Sequence, residues 1–226
     1  MTHPTNGPPE NWIATLWLAI WMLFFLVCIL SFARMANAQV PPEAVKYQRL
    51  LTREARALAG LDAPVAMFAG QIEQESAWRL RASSAFAQGL AEFTPATAAW
   101  ISGVYPKELG GADVYNPEWA VRALVLYDTR LYHETQADAD CDHWAKALSA
   151  YNGGVGWVLR DEKLCDAAFG CDQALWFGNV ERYTARSKAA AVENRGYPRR
   201  ILLRNQYHYA TWGVTVSCPR SQPSAP

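Results

Sequence analysis

The chain has 226 residues, of which 51% are hydrophobic, including ten Trp, ten Tyr and eight Phe. That is enough apolar mass for the core of one ordinary domain. The formal net charge at pH 7 is zero, which excludes a nucleic-acid binder that works through overall positive charge. Basic residues outnumber acidic ones from Arg182 onward. This excess could face a polyanion, but we expect an ordinary solvated surface.

The N-terminal segment carries the clearest compositional signal. Residues 12–33 form a stretch of 22 residues without a charge. A membrane-spanning helix needs about 20 apolar residues, whereas the apolar part of a signal peptide usually has about 7–15. Length therefore favours an uncleaved membrane anchor through residues 12–33. The alternative is a cleaved signal peptide, because Ala36-Asn37-Ala38 before Gln39 has the pattern of a cleavage site.

The cysteines indicate an oxidising compartment. Cys141, Cys165, Cys171 and Cys218 form an even set beyond the apolar segment, which permits two disulfides. Three pairings are possible, and the sequence does not choose among them. Cys28 is the odd cysteine and is expected to be a small apolar residue of the segment.

Helix-start and helix-stop residues divide the rest of the chain. We predict a first helix over 42–59 and a second that Asp62 caps, with Pro64 in its first turn. Further helices are predicted over 95–102, starting at Thr94-Pro95, and from Pro117 to about residue 134, with Asn116 as cap. Two more are predicted from an Asp140 cap to the glycines of "NGGVG" and over 180–194. A short strand is expected around Val214. All other predicted elements are helical, so the fold class is an all-α domain behind an N-terminal transmembrane or signal segment.

Glu75 stands out within the second helix. Val65, Phe68, Ile72 and Glu75 follow one another at spacings of three, four and three, so they share one helical face. A carboxyl group on a packed face loses solvation of its charged form, which raises its pKa and lets it act as a general acid on a glycosidic bond. The alternative is a structural ion pair with a nearby arginine. Glu73 falls off this face and is expected at the surface.

Four sequence blocks in order strengthen the catalytic interpretation. They are "ESAW" at 75–78, "SSAFAQGLAEFTPATAAW" at 83–100, "SAYNGGVG" at 149–156 and "NVERYTARS" at 179–187. The series resembles the soluble lytic transglycosylase domain, a family similar to goose lysozyme. The resemblance implies a lysozyme-like helical fold and covers about half of the chain. It does not include the apolar segment or the residues beyond about 198.

The resemblance also implies the residues of the site. Glu75 matches the catalytic acid and base, and Ser76 matches the serine beside it. Tyr151 and Asn152 match the A-Y-N segment, and Tyr183 matches a later tyrosine near the acid. The implied reaction is cleavage of the β-1,4 bond between N-acetylmuramic acid and N-acetylglucosamine in peptidoglycan, which leaves a 1,6-anhydro end. No cofactor, metal ion or nucleic acid is implied.

Glu92 departs from the family pattern, which has glutamine there. We expect it to bind substrate as a variant of that amide. The alternative function that it opens is a hydrolytic muramidase with Glu92 as second carboxylate, since hydrolysis uses two acids. A third possibility is a wall-binding module without catalysis. The sequence thus predicts three segments: a signal or anchor over 1–38, a catalytic domain over 39–200 and a basic tail over 201–226.

The same interpretation predicts where the protein acts. The catalytic domain is expected on the periplasmic side of the inner membrane, either anchored or released. A short enzyme behind a moderately apolar segment is typical of a phage lysis enzyme, an endolysin with a signal-anchor. A bacterial enzyme of wall remodelling or of a secretion apparatus fits equally well.

Two further motifs are weaker. The acidic run around Asp138, Asp140 and Asp142 has the rhythm of a calcium loop, but it lacks the glycine and the final glutamate. "NGGVG" lacks the Gly-Lys-Ser/Thr ending of a phosphate-binding loop. We expect a solvated loop in the first case and a helix end in the second.

Overall fold

The structure is a computed structural model that describes residue 17, residues 20–22 and residues 40–218. The chain divides into two units, Met1–Gln39 and Val40–Pro226. Most of the predicted membrane segment, residues 12–33, lies outside the described residues. Within the described part of the chain, no helix combines the length and apolar character that a membrane crossing requires.

The second unit is built from helices, and its described residues contain no strand. The α-helices are α1 (Pro42–Val45), α2 (Gln48–Ala59), α3 (Val65–Ser76), α4 (Pro95–Val104), α5 (Pro106–Leu109), α6 (Pro117–Glu134), α7 (Asp140–Gly153), α8 (Val155–Asp166) and α9 (Lys188–Leu203). Two 3-10 helices, η1 (Val180–Arg182) and η2 (Asn205–Tyr209), flank α9. The all-α prediction is confirmed for residues 40–218.

Helix α3 lies at the centre of the domain. Every residue from Val65 to Ile72 is buried, because α2, α9 and η2 all pack against it. A helix that is enclosed in this way has no solvated face in its first two turns. A polar side chain of α3 can therefore reach the surface only near the C-terminal end of the helix.

Several predicted helix ends are confirmed. Thr94 accepts a hydrogen bond from the Thr97 amide at the start of α4, and Asn116 accepts from the first-turn amides of α6. Two predicted caps are wrong by one or two residues. The N-terminal cap position of α3 is Pro64 rather than Asp62, and that of α7 is Ala139, with Asp140 as the first helical residue.

The C-terminal region differs most from the prediction. The helix expected over 180–194 is replaced by η1, an irregular stretch and α9, which continues through Gly196 and Pro198 to Leu203. Residues 201–218, predicted to be part of a basic tail, belong to the folded unit. Tyr209 and Trp212 are buried there. The expected strand around Val214 is absent from the described residues, although the Val214 carbonyl accepts the Ala66 amide.

Two disulfides close the domain. Cys141 at the start of α7 pairs with Cys218, and Cys165 at the end of α8 pairs with Cys171. The first bond joins residues 77 positions apart, and the second joins residues 6 positions apart. The longer loop restricts the unfolded chain more strongly.

We expect the two disulfides to contribute unequally to stability. In the chain-entropy picture, loss of the Cys141–Cys218 bond should lower the free energy of unfolding by about 2 kcal/mol more than loss of the Cys165–Cys171 bond. The measurement is urea unfolding of the Cys141→Ser/Cys218→Ser and Cys165→Ser/Cys171→Ser double variants. Equal losses would contradict the loop-length account.

Candidate active site

Glu75 lies in the last turn of α3, immediately before a sharp change in chain direction. Ala77 and Trp78 both have left-handed backbone conformations, with φ of 49° and 64°. Such conformations are costly for residues other than glycine and persist only where the surroundings enforce them. Here the Trp78 ring, 1% exposed, is held by a 2.6 Å hydrogen bond from its Nε1 to the Tyr209 hydroxyl. The buried indole thus fixes the end of α3 and the position of Glu75.

The carboxyl group of Glu75 is largely removed from water. Burial, together with the smaller effect of the nearby carboxylates of Glu92 and Glu193, raises its pKa to about 8. The Tyr197 hydroxyl donates a hydrogen bond to Glu75 Oε1, which acts in the opposite direction because it stabilises the charged form. Desolvation is the larger effect. Glu75 therefore holds a proton at neutral pH.

A tight turn brings Glu92 to the other side of the site. Gln88 forms isolated β-bridges with Ser83 and with Phe93. The next residue, Gly89, has φ of +83°. A Cβ at Gly89 would overlap the Val114 carbonyl oxygen, so only glycine fits there. Glu92 itself is left-handed, with φ of 44°. Partial burial raises the pKa of its carboxyl group, and Arg79 opposes that shift.

Helix α7 supplies Tyr151 and Asn152. The Tyr151 hydroxyl donates to the Ala91 carbonyl at 2.7 Å, next to Glu92, and its ring stacks on that of Tyr197 with 6.4 Å between the ring centres. Asn152 Oδ1 accepts from Asn194 Nδ2 at 3.1 Å. With its oxygen engaged, Asn152 has its amide N–H groups left to donate to a ligand.

These residues line one open cleft of about 310 Å³. Glu75, Glu92, Tyr151 and Asn152 contribute to its walls, and Glu193 does so as well. Three carboxyl groups and an amide in a cleft of this size can bind the hydroxyl and acetamido groups of a sugar. The cleft brings together four of the six site residues that the sequence predicted.

Ser76 and Tyr183 occupy other places. Ser76 is fully buried, and its hydroxyl donates to the Ile72 carbonyl, so it supports the end of α3 from within the core. Tyr183 packs against the core, and its carbonyl accepts from Arg195 Nη2 at 2.9 Å. The tyrosine hydroxyl on Glu75 belongs to Tyr197 rather than to Tyr183.

Tyr197 and Glu193 are the site residues that the sequence analysis missed. Both lie on α9, and the buried side chains of Asn194, Tyr197 and Ile201 follow one another at spacings of three and four. This helical periodicity was the available signal. Gly196 and Pro198 obscured it, because both usually mark the end of a helix.

A buried polar pair lies near the acid. Gln71 Nε2 donates to Asp128 Oδ1 at 3.3 Å, and Asp128 is fully buried. Burial raises the pKa of Asp128 well above its ordinary value, and Glu75 adds to the rise. Burial therefore disfavours the charged form of the Asp128 carboxyl group, while the hydrogen bond from Gln71 favours it.

Two other acidic residues, Glu73 and Asp142, make structural contacts. Glu73 pairs with His208 Nδ1 at 3.0 Å and is half-buried rather than free at the surface. Asp142 Oδ1 accepts the amides of Trp176 and Phe177. Over the described residues, no cluster of His, Cys, Asp and Glu side chains could hold a metal ion.

The geometry defines a class of protein: a lysozyme-like helical domain with a half-buried acid in an open cleft. The family model of the transglycosylase SLT domain matches residues 55–168, half of the chain. The chain belongs to this family.

A solved structure supports the fold. The 70 kDa soluble lytic transglycosylase Slt70 from Escherichia coli superposes with a TM-score of 0.51 at 23% sequence identity. The similarity covers 75% of this chain and 25% of that one, so the present chain spans about a quarter of the length of Slt70. No curated protein matches the sequence significantly.

The raised pKa of Glu75 predicts a pH-dependent stability. Between pH 4.5 and about 8 the folded protein holds a proton that the unfolded chain releases, so stability falls as pH rises through this window. Glu75→Gln removes the charge. We expect its Tm to exceed that of the wild type by at least about 3 °C at pH 9, and the difference to vanish near pH 4. Thermal unfolding at both pH values is the measurement. A difference that does not change with pH would contradict the assignment.

Proposed function

We propose that the protein cleaves the β-1,4 bond between N-acetylmuramic acid and N-acetylglucosamine in peptidoglycan strands, with Glu75 as the single acid and base. The observation that carries this proposal is the position of the half-buried Glu75 carboxyl group at the edge of an open polar cleft, where desolvation raises its pKa to about 8. Membership of the SLT family supports the substrate class.

The first step uses Glu75 as an acid. Tyr197 occupies Oε1, so the proton to be transferred resides on Oε2. Glu75 donates this proton to the bridging oxygen as the bond from that oxygen to the anomeric carbon breaks. A pKa near the working pH suits such a transfer, since the group is protonated yet still acidic enough to give the proton away.

The second step uses the same group as a base. The Glu75 carboxylate takes the proton of the sugar's own 6-hydroxyl as that oxygen bonds to the anomeric carbon. The product is a 1,6-anhydro sugar, and Glu75 regains its proton without consuming water. The Tyr197 hydrogen bond stabilises the transient carboxylate, which is otherwise costly in a desolvated position.

Glu92 and Asn152 then have binding roles. Both residues line the cleft. The tight turn holds Glu92 in position, and the hydrogen bond from Asn194 holds Asn152. A hydrolase would need its second carboxyl group either to attack the sugar, in a retaining enzyme, or to direct water, in an inverting one. In the proposed reaction Glu92 contacts substrate and raises the pKa of Glu75 without forming or breaking bonds.

We propose further that the domain acts outside the cytoplasm, on the periplasmic side of the inner membrane. The two disulfides support an oxidising compartment.

Product analysis tests the reaction. Purified wall treated with the wild-type domain should yield 1,6-anhydro ends by mass spectrometry. Glu75→Gln should lower the rate by at least about 10²-fold, because it cannot transfer the proton. Glu92→Gln is the matched control and should still give anhydro ends. Reducing ends from the wild type, lost in Glu92→Gln, would instead establish the hydrolytic muramidase.

The pH profile tests the role of Tyr197. Wild-type kcat/KM should fall as pH rises above about 8, where Glu75 loses its proton. Tyr197→Phe removes a hydrogen bond that lowers the Glu75 pKa, so this alkaline limb should move to higher pH while the rate falls. Tyr183→Phe is the control and should leave the limb in place. A limb that moves to lower pH in Tyr197→Phe would contradict the assignment.

A further inference from the structure

A second cleft adjoins the first. It has a volume of about 380 Å³, and Asn152 and Glu193 line both clefts. Trp157 from α8 and Arg186 from the segment before α9 form other parts of its lining. A glycan bound near Glu75 therefore has this cleft next to it.

Arg186 is buried without a full set of partners. Its side chain is 6% exposed, and its Nε and Nη2 atoms make no hydrogen bond within the described part of the chain. Its Nε lies 3.8 Å from Asp161 Oδ2, an oxygen that Arg195 Nη2 already holds at 2.5 Å. Two guanidinium groups thus share one carboxylate, which leaves a surplus positive charge. Glu193 does not compensate for it, since no Arg186–Glu193 ion pair forms among the described residues.

The guanidinium is held in place by its neighbours. It lies over the Trp157 ring, with Cζ 5.2 Å from the ring centre. On another side, a Cβ at Gly153 would overlap Nη1, so the glycine makes room for the group. Burying a charge that is only partly compensated is costly, and such groups usually have a ligand or a further counter-ion.

We propose that Arg186 forms a carboxylate-binding subsite for the peptide substituent of the glycan strand. This inference rests on the proposed function, because in peptidoglycan the peptide is attached to the N-acetylmuramic acid residue and carries free carboxylates. A planar guanidinium is suited to bidentate binding of a carboxylate. The first turn of α9, through Ser187 and Ala190, also lines the cleft and adds the positive end of a 16-residue helix.

The wild-type enzyme gives the first test. Three glycan strands are compared: one with free peptide carboxylates, one with those carboxylates amidated and one stripped of peptide. We expect kcat/KM to be roughly tenfold higher for the first than for the second. Equal values would overturn the proposal. Cleavage of the stripped strand reports on the proposed function alone.

A variant gives the second test. Arg186→Met removes the charge. It should lose the preference for free carboxylates while keeping the rate on stripped strands. Arg160→Met is the matched control. The Arg160 Cζ atom also lies over the Trp157 ring, 4.6 Å from its centre, but Arg160 is exposed. This variant should keep the preference for free carboxylates. Equal losses on all three strands in Arg186→Met would show a structural role and overturn the subsite.

Measured binding affinities distinguish the proposed subsite from the proposed reaction. If the wild type cleaves none of the strands, calorimetric titration with a peptide-bearing disaccharide decides the matter. Binding that is weakened roughly tenfold by amidation would retain the subsite and reject the reaction. Binding that amidation leaves unchanged would reject the subsite.

Discussion

The desolvation of one carboxyl group is the constraint on which the site depends. Glu75 belongs to a helix whose first two turns are wholly buried, because α2, α9 and η2 pack against that helix. Removal from water keeps the group protonated at neutral pH, and Tyr197 limits how far its pKa rises. Desolvation and this one hydrogen bond together make the same carboxyl group usable as an acid and then as a base.

The surrounding structure maintains this position at an energetic cost. Consecutive left-handed residues at Ala77 and Trp78 end α3 abruptly, and the buried Trp78–Tyr209 contact holds the turn in place. Tyr209 belongs to η2, so the segment predicted as a tail is needed to build the site. The Cys141–Cys218 bond ties the end of this segment to α7, the helix that carries Tyr151 and Asn152.

Local sequence patterns predicted many of the helices correctly. The elements that were predicted wrongly depend on contacts between distant parts of the chain. The caps at Thr94 and Asn116 depend on neighbouring residues and were predicted correctly. Glu75 was identified because its helical spacing is local and the sequence around it resembles a family.

Two parts of the site depend on contacts between distant segments of the chain. Tyr197 was missed because Gly196 and Pro198 are locally unfavourable in a helix, yet the burial of Tyr197 and Ile201 against the core outweighs that preference. The environment of Arg186 is built by Gly153, Trp157 and Asp161, which come from other segments of the chain.

The protonation state of Glu75 is the central claim, and carbon NMR can measure it directly. Selective ¹³C labelling of glutamate carboxyl groups, with Glu75→Gln to assign the resonance, gives the titration curve of this one group. The account predicts a midpoint near pH 8. A midpoint near 4.5, the ordinary value for glutamate, would show that Glu75 is ionised at neutral pH and would contradict the account.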